Sequence, residues 1–121
     1  MYSSVMLGMW GRLDARPIQI YDHTMAISIR FYIDPATNEP HIYNHNVHEN
    51  EVEDVLGSPG EDRPGRDGSR IVIGKTHGGR YLRVIYVPDP EAGSVFVITA
   101  YELIGRPLAA YRRRRKSKRG R

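Results

Sequence analysis

Apolar and polar residues alternate along residues 28–34, the first regular segment of the chain. Apolar side chains occupy every second position from Ile29 to Ile33. A period of two is typical of a half-buried strand. Asp34 and Pro35 then match the N-cap and the first turn of a helix, so we expect a short helix to begin there.

A helical pattern follows over residues 41–56. Its apolar stripe consists of Val52, Val55 and Leu56, and acidic residues cover the rest of its surface. Asn46 favours a left-handed or turn conformation, which predicts that the region is divided into two helical pieces. The Gly-Ser-Pro-Gly sequence after Leu56 is expected to end the helix.

Three strand-like segments come next, at residues 70–75, 81–87 and 94–101. The first two are separated by a glycine-containing turn at residues 76–79 and are predicted to form a hairpin. The second and third are apolar on both faces, which places them in the middle of a sheet. A final helix is expected to open near Pro107 and to continue into a run of basic residues.

This order of elements predicts an α+β fold, with a small antiparallel sheet of three or four strands and flanking helices. At 121 residues, the chain is long enough for one domain. We assign residues 25–116 to that domain, residues 1–24 to a loosely ordered N-terminal extension and residues 117–121 to a basic tail. A short run at residues 18–21 of the extension could add an edge strand.

The net charge of +4 is unevenly distributed along the chain. Eight of the last ten residues are Lys or Arg, whereas the rest of the chain has 14 acidic and 10 basic residues. A polyanion would therefore be drawn to the C-terminal end rather than to the whole surface. Three interpretations of this end are open: a solvated tail that keeps the protein soluble, a nucleic-acid site, or a site for an acidic protein.

The composition excludes several classes of function. The chain has no cysteine, so it has no disulfide, no thiolate metal site and no thiol nucleophile. No apolar run approaches the roughly 18 residues that a membrane span requires, and no secretion signal is recognisable at the N-terminus. We therefore expect a cytoplasmic protein without a membrane partner.

Arg83 lies between apolar residues of a predicted central strand, where a guanidinium needs a partner. It could clamp a phosphate on an open face of the sheet, or it could form an ion pair with a helix carboxylate such as Glu53. Arg80 and Lys75 flank the hairpin turn and are expected to be exposed.

Histidines supply candidate proton carriers near neutral pH. His41, His45 and His48 are spaced by four and three residues, so one helix face could present all three, while His77 falls in a turn. That spacing is not a specific metal signature, and we expect no metal ion or other cofactor. His45 or His41 could act as a general acid or base.

Aromatic and basic residues together suit RNA as a ligand, because rings stack on unpaired bases while cations contact the backbone. Tyr101 and Tyr111 flank the start of the basic helix and are better stacking candidates than Tyr81 and Tyr86. RNA cleavage needs no metal when one side chain takes the proton of the 2′-hydroxyl and another protonates the leaving oxygen. Cations must also stabilise the added charge.

The order and spacing of these segments resemble the BrnT toxins of the RelE/ParE-like toxin–antitoxin superfamily. The likeness covers about residues 28–116 and has no single decisive motif. Its matching segments are Phe-Tyr-Ile-Asp-Pro at 31–35, His-Asn-Val-His at 45–48, Glu-Val-Glu-Asp-Val-Leu at 51–56, Arg-Ile-Val-Ile-Gly-Lys at 70–75, Gly-Arg-Tyr-Leu-Arg-Val-Ile-Tyr at 79–86, Val-Ile-Thr-Ala at 97–100, and the terminal arginine run.

The resemblance implies a RelE-like sheet with flanking helices, a ribonuclease that arrests translation, and a cognate antitoxin that covers the active face. By position, His45 matches the histidine of the family, and Arg80 and Arg83 fall on its basic third strand. Asn44 and Tyr101 stand where the family usually has Lys and Arg, and Pro40 interrupts the first helix. The Thr-Ala-Tyr ending at 99–101 is similar to that of a related group of uncharacterised RelE-like domains, which is the alternative resemblance.

The leading hypothesis is a toxin-type, metal-independent endoribonuclease that cleaves messenger RNA at the ribosome. His45 would act as acid or base, while Arg83, Arg80 and Lys75 would hold phosphate and stabilise the transition state. The residues expected to bind RNA are Tyr101, Tyr111, Arg112, Arg113, Arg114, Arg115 and Lys116. This hypothesis depends on guanidinium groups that lie together on one open face of the sheet. It would fail if Arg80 and Arg83 pointed to opposite faces and each were neutralised by buried acids. Two alternatives are a non-catalytic module that binds RNA or DNA, and a protein-interaction domain.

Overall fold

The computed structural model describes residues 19–22, 25–89 and 93–119, with side chains for residues 28–89 and 93–117. The extension expected at residues 1–24 falls mostly outside this part of the chain. Its residues Gln19–Asp22 form strand β1 at the edge of the sheet, in agreement with the expected edge strand.

Six strands form the main sheet. After β1, they are β2 (Met25–Phe31), β5 (Glu61–Pro64), β6 (Arg70–Lys75), β7 (Tyr81–Pro88) and β8 (Ser94–Glu102). Their order across the sheet is β1–β2–β8–β7–β6–β5. All neighbouring pairs are antiparallel except β2 and β8, which are parallel. The α+β class is confirmed, but the expected antiparallel sheet of three or four strands is wrong, because the sheet is mixed and larger.

Two features of the sequence hid the additional strand and the parallel pair. Strand β5 is charged and ends in Pro64, a composition that suits only an edge strand and gives no alternating apolar signal. Strands β2 and β8 are separated by most of the chain, so their direction depends on the elements between them rather than on a local turn. The predicted central position of β7 and β8 is confirmed.

A small hairpin replaces the helix that was expected to begin at Asp34. Strands β3 (Ile33–Asp34) and β4 (Glu39–Pro40) pair with each other around a four-residue turn. The Asp34 carboxylate accepts a hydrogen bond from the backbone N–H of Ala36 at 2.9 Å, and Asn38 adopts the left-handed conformation. The expectation is wrong because Asp-Pro suits a turn as well as a helix start.

The first helical region is divided where the sequence predicted. A 3₁₀ helix covers His41–His45, Asn46 is left-handed with φ 57°, and helix α1 covers Glu49–Gly57. Glu51 accepts a hydrogen bond from the backbone N–H of His48 and so satisfies one donor at the start of α1. A second 3₁₀ turn covers Arg66–Gly68.

The two faces of the sheet carry different layers. The α1 face packs its buried residues against α1 and the first 3₁₀ helix; these include Val72, Leu82, Val84 and Ala100. The opposite face is called the α2 face below, after the C-terminal helix α2 (Gly105–Arg119) that packs on it. It carries Ile73, Tyr81, Arg83 and Tyr101, as the strand registers require.

Helix α2 (Gly105–Arg119) packs on one part of the α2 face. Its Tyr111 is buried with Ile73 and Leu103, and Tyr81 packs against this group. The expected final helix is confirmed. In the described part of the chain, no helix has the length and apolar character needed to cross a membrane.

Candidate functional site

A row of four rings lines the edge of β8 beyond the point where β2 ends. Strand β2 stops at Phe31, opposite Val97, and the first 3₁₀ helix packs beside the remaining part of β8. The ring centroids of Tyr32 and His41 lie 5.9 Å apart, those of His41 and His45 5.3 Å, and those of His45 and Tyr101 6.0 Å. Two imidazoles therefore lie next to each other in contact with aromatic rings.

Asp34 holds the first imidazole of this row. Its Oδ2 lies 3.2 Å from His41 Nδ1 and accepts a hydrogen bond from Asn44 Nδ2 at 2.8 Å. The backbone N–H of Ala36, and after it His41 and Asn44, lower the pKa of the Asp34 carboxyl below its ordinary value. The carboxylate thus stays charged at neutral pH and fixes the ring of His41, which leaves Nε2 as the nitrogen that can exchange a proton with a ligand.

The second imidazole, His45, is exposed and makes no hydrogen bond with other described residues. Its neighbour Tyr101 is half-buried and stands directly opposite Arg83 in the β7–β8 register. Side chains at such paired positions are about 4.5–5.5 Å apart at Cβ. The fold therefore brings together His45, Tyr101 and Arg83, three of the residues that sequence analysis singled out.

Arg83 has unused hydrogen-bonding capacity. Its Nε is buried without a hydrogen-bond partner, and Arg83 forms no ion pair with any described residue. The alternative pairing with Glu53 is wrong, since Glu53 lies on α1 at the other face of the sheet. Burial there, and after it Asp54 and Glu49, raise the pKa of Glu53.

Thr99 is a second unsatisfied group on the same face, and sequence analysis missed it. It pairs with Ile85, two residues along β7 from Arg83, and its buried Oγ1 has no hydrogen-bond partner among the described residues. A buried polar atom without a partner costs about 1–3 kcal/mol. A threonine in an apolar strand is typical of ordinary packing, so nothing in the sequence marked its hydroxyl as a buried group without a partner.

Arg80 does not join Arg83, and the prediction that both lie on one open face is wrong. Its Nη1 donates to the carbonyl of Asn46 at 2.9 Å and to the Glu51 carboxylate at 2.9 Å. Its Nη2 lies 3.4 Å from Glu102. Arg80 directly precedes β7, and its guanidinium turns toward α1, on the side of the sheet opposite Arg83. Arg80 therefore links the start of β7 to Asn46, the residue that follows His45.

Lys75 also lies apart from the histidines. It is exposed, pairs with Tyr81 in the β6–β7 register, and places its Nζ 5.8 Å from the centroid of the Tyr81 ring. Arg112 of α2 approaches the same ring at 5.3 Å. Lys75 therefore belongs to a separate basic group around Tyr81.

Tyr111 is not available for stacking on a base, although the sequence predicted it as a stacking residue. It is 5% exposed, and burial raises the pKa of its phenol. Tyr81, which ranked lower in the sequence analysis, is only half-buried and lies 5.9 Å from Tyr111 between ring centroids. The register of β7 places the Tyr81 ring beside Lys75 and Arg112. The sequence alone could not indicate these neighbours.

The basic residues of α2 fall into two groups: some hold the helix against residues 60 and 61, and the others are exposed to solvent. Arg114 donates two hydrogen bonds to Glu61, at 2.7 and 2.9 Å, and Arg115 donates to the carbonyl of Gly60. Arg112, Arg113 and Lys116 are exposed and form no ion pair with described residues. Among residues 112–116, only Arg114 is paired with a described carboxylate, and Arg115 keeps its charge although its Nη1 is anchored on a carbonyl.

Within residues 28–89 and 93–117, no three histidine, aspartate or glutamate side chains cluster in a way that could hold a metal ion. The row of Tyr32, His41, His45 and Tyr101, called the histidine row below, presents two imidazoles and two phenols, and Arg83 adds a guanidinium opposite Tyr101. That donor set can transfer protons and stabilise a developing negative charge.

The fold and this site define an α+β protein with a histidine–tyrosine–arginine centre at the edge of a mixed sheet. The model of a domain of unknown function, DUF4258, matches residues 42–102, and the chain belongs to this family. The match begins in the first 3₁₀ helix and ends with β8, so it contains His45, Arg83 and Tyr101 but not α2. No curated protein and no solved structure matches the chain.

Proposed function

We propose that this protein is a toxin-type endoribonuclease that cleaves single-stranded messenger RNA through the histidine row and Arg83. The observation that carries this proposal is the guanidinium of Arg83, which forms no ion pair with the described residues and stands opposite Tyr101, whose ring contacts His45. A phosphodiester supplies the anionic oxygens that such a group lacks.

The two imidazoles suit the two proton transfers of RNA cleavage. The exposed His45 takes the proton of a ribose 2′-hydroxyl, whose oxygen attacks the adjacent phosphorus. The bond from phosphorus to the 5′-oxygen breaks, a 2′,3′-cyclic phosphate forms, and His41 protonates the leaving oxygen through Nε2. Asp34 supports this role because an imidazolium can donate to the carboxylate through Nδ1 while it donates to the substrate through Nε2.

Arg83 completes the centre by stabilising the negative charge that develops on phosphorus oxygens. Removal of one such donor typically costs about 10²–10³-fold in rate, and removal of a general acid or base costs about 10²–10⁴-fold. Tyr101 positions the substrate, since its ring contacts His45 and its place in the strand register is opposite Arg83.

The same proposal includes two partners and a location. Messenger RNA on the ribosome is the substrate, and the reaction takes place in the cytoplasm. A cognate antitoxin covers the site, and we expect its contacting surface to be acidic where it meets Arg83 and α2. A neighbouring gene for a small acidic or DNA-binding protein would support this partner.

The test is incubation of the purified protein with a single-stranded messenger RNA in excess EDTA. We expect cleavage by the native protein and a loss of about 10²–10⁴-fold in the His45→Ala variant. Arg66→Ala is the matched control, because Arg66 is exposed in the 3₁₀ turn between β5 and β6, away from the histidine row. Intact RNA at high concentrations of the native protein would refute the enzyme.

The exposed cations of α2 favour one second candidate, a module that binds RNA or DNA without cutting it. Binding in the same experiment without cleavage would establish that function. Its affinity should fall steeply with salt, whereas a protein-interaction domain would respond weakly.

A further inference from the structure

A pocket of about 400 Å³ lies at the junction of α2 and the sheet, apart from the histidine row. Tyr81 and Tyr111 form its aromatic walls, and Arg112, Arg115 and Lys116 provide its charged lining. Its size is in the lower part of the roughly 300–1,000 Å³ range of small-ligand sites. It has room for one small ligand rather than for a folded partner.

The chemistry of the lining selects an anion that carries a planar ring. Three cations line the pocket without an acidic side chain, and Lys75 lies at the same tyrosine. Arg112 and Lys116 form no ion pair with described residues, so their charge is available to a ligand. Aromatic rings next to basic groups are the features that bind unpaired bases together with their phosphates.

The position of the pocket relates it to the proposed cleavage centre. Tyr81 and Arg83 lie two residues apart on β7 and point to the same face. Such residues are roughly 7 Å apart along a strand. A single strand of RNA that reaches Arg83 can therefore place a neighbouring nucleotide in the pocket.

We propose that this pocket is a subsite for one nucleotide of single-stranded RNA, with its base against Tyr81 and its phosphate held by Arg112 and Lys116. The subsite rests on the proposed function only in taking RNA as the ligand. It fixes where the RNA lies relative to Arg83 and does not take part in the bond cleavage.

The test measures binding of a fluorescent 2′-O-methyl hexanucleotide of mixed sequence, which cannot be cleaved through its 2′-oxygen. Arg112→Gln should weaken binding and lower the slope of log affinity against log salt by about 0.7, the value for one neutralised phosphate of a single strand. Tyr81→Leu should weaken binding roughly fivefold or more, as expected for loss of a stacked base.

Arg106→Gln is the matched control, because it removes the same charge from an exposed position of α2 outside the pocket. We expect it to change affinity less than twofold. Equal effects of Arg112→Gln and Arg106→Gln, or no binding by the native protein, would overturn the subsite. Thermal melting checks that each variant is folded, and the exposed Arg112 variant keeps the test valid if Tyr81→Leu is unstable.

The subsite and the enzyme fail separately. If the variants show the expected binding pattern but the native protein leaves RNA intact, the subsite stands and the cleavage proposal is wrong. If the native protein cleaves RNA but Arg112→Gln binds the hexanucleotide as tightly as the native protein does, the subsite is wrong and cleavage stands.

Discussion

Substitution of Gly60 by alanine should loosen the attachment of α2 to the sheet. A Cβ atom at residue 60 would lie 2.0 Å from the hydroxyl oxygen of Tyr111 and 3.2 Å from both its Cζ and the carbonyl oxygen of Ile73. Tyr111 is buried, so its ring cannot swing away without leaving the core. Residues 60 and 61 also accept the hydrogen bonds of Arg115 and Arg114.

The cost follows from this overlap. Forcing extra volume into a packed core typically costs about 1–3 kcal/mol, and the lower chain entropy of alanine offsets about 0.4–1 kcal/mol of it. We therefore expect Gly60→Ala to lower the free energy of unfolding by about 1–2 kcal/mol. Gly78→Ala is the control, because the nearest atom to its Cβ would be Thr76 Oγ1 at 3.8 Å.

Urea unfolding followed by circular dichroism gives the free energies, and a double-mutant cycle identifies the cause. Tyr111→Phe removes the oxygen that lies 2.0 Å from the new methyl group, so it should restore at least about 0.5 kcal/mol in the Gly60→Ala background. A Gly60→Ala protein as stable as the Gly78→Ala control, or additive effects in the cycle, would refute this account of α2.

Three further predictions concern ionisable side chains. Because the folded pKa of Asp34 is lowered, its charge stabilises the native state above pH 3.8, and this contribution is lost as the pH falls through the lower folded value. The stability difference between the native protein and Asp34→Asn should therefore shrink below pH 4 in acid unfolding; a constant difference would contradict it. Burial raises the pKa of Tyr111, so stability should fall as the pH rises above 10. Tyr111→Phe should fall less steeply in alkaline melts, and an unchanged slope would exclude this cause. Arg83→Met should not lower the melting temperature, because Arg83 Nε is buried without a hydrogen-bond partner among the described residues; a drop of several degrees would show that Arg83 is structural.

Local patterns predicted the elements whose signal lies within a few neighbouring residues. The apolar character of both faces of β7 and β8 identified the central strands, and Asn46 identified the break between the helical pieces. The alternation of side chains along a strand also predicts that Arg80 and Arg83, three positions apart, point to opposite faces. The prediction that they share one face was inconsistent with this rule.

The rest depends on contacts between distant segments. Edge strand β5 forms because β6 offers an unpaired edge, and its own charged sequence gives no indication of this. The fixed orientation of His41 depends on Asp34 seven residues earlier, across a hairpin where a helix was expected. The burial of Tyr111 and the ion pair of Arg114 depend on which face of α2 packs against the sheet. Four consecutive arginines do not indicate that face, because every side of the helix then carries the same residue type.

The central claim is that Arg83 and the histidine row cleave RNA through its own 2′-hydroxyl. The most direct test compares a mixed-sequence RNA with its 2′-O-methyl form in EDTA and identifies the product ends. We predict 2′,3′-cyclic phosphate ends from the RNA, no cleavage of the methylated form, and a loss of about 10²–10³-fold in Arg83→Met. Cleavage of the methylated form, or an Arg83→Met variant as active as the native protein, would contradict the claim.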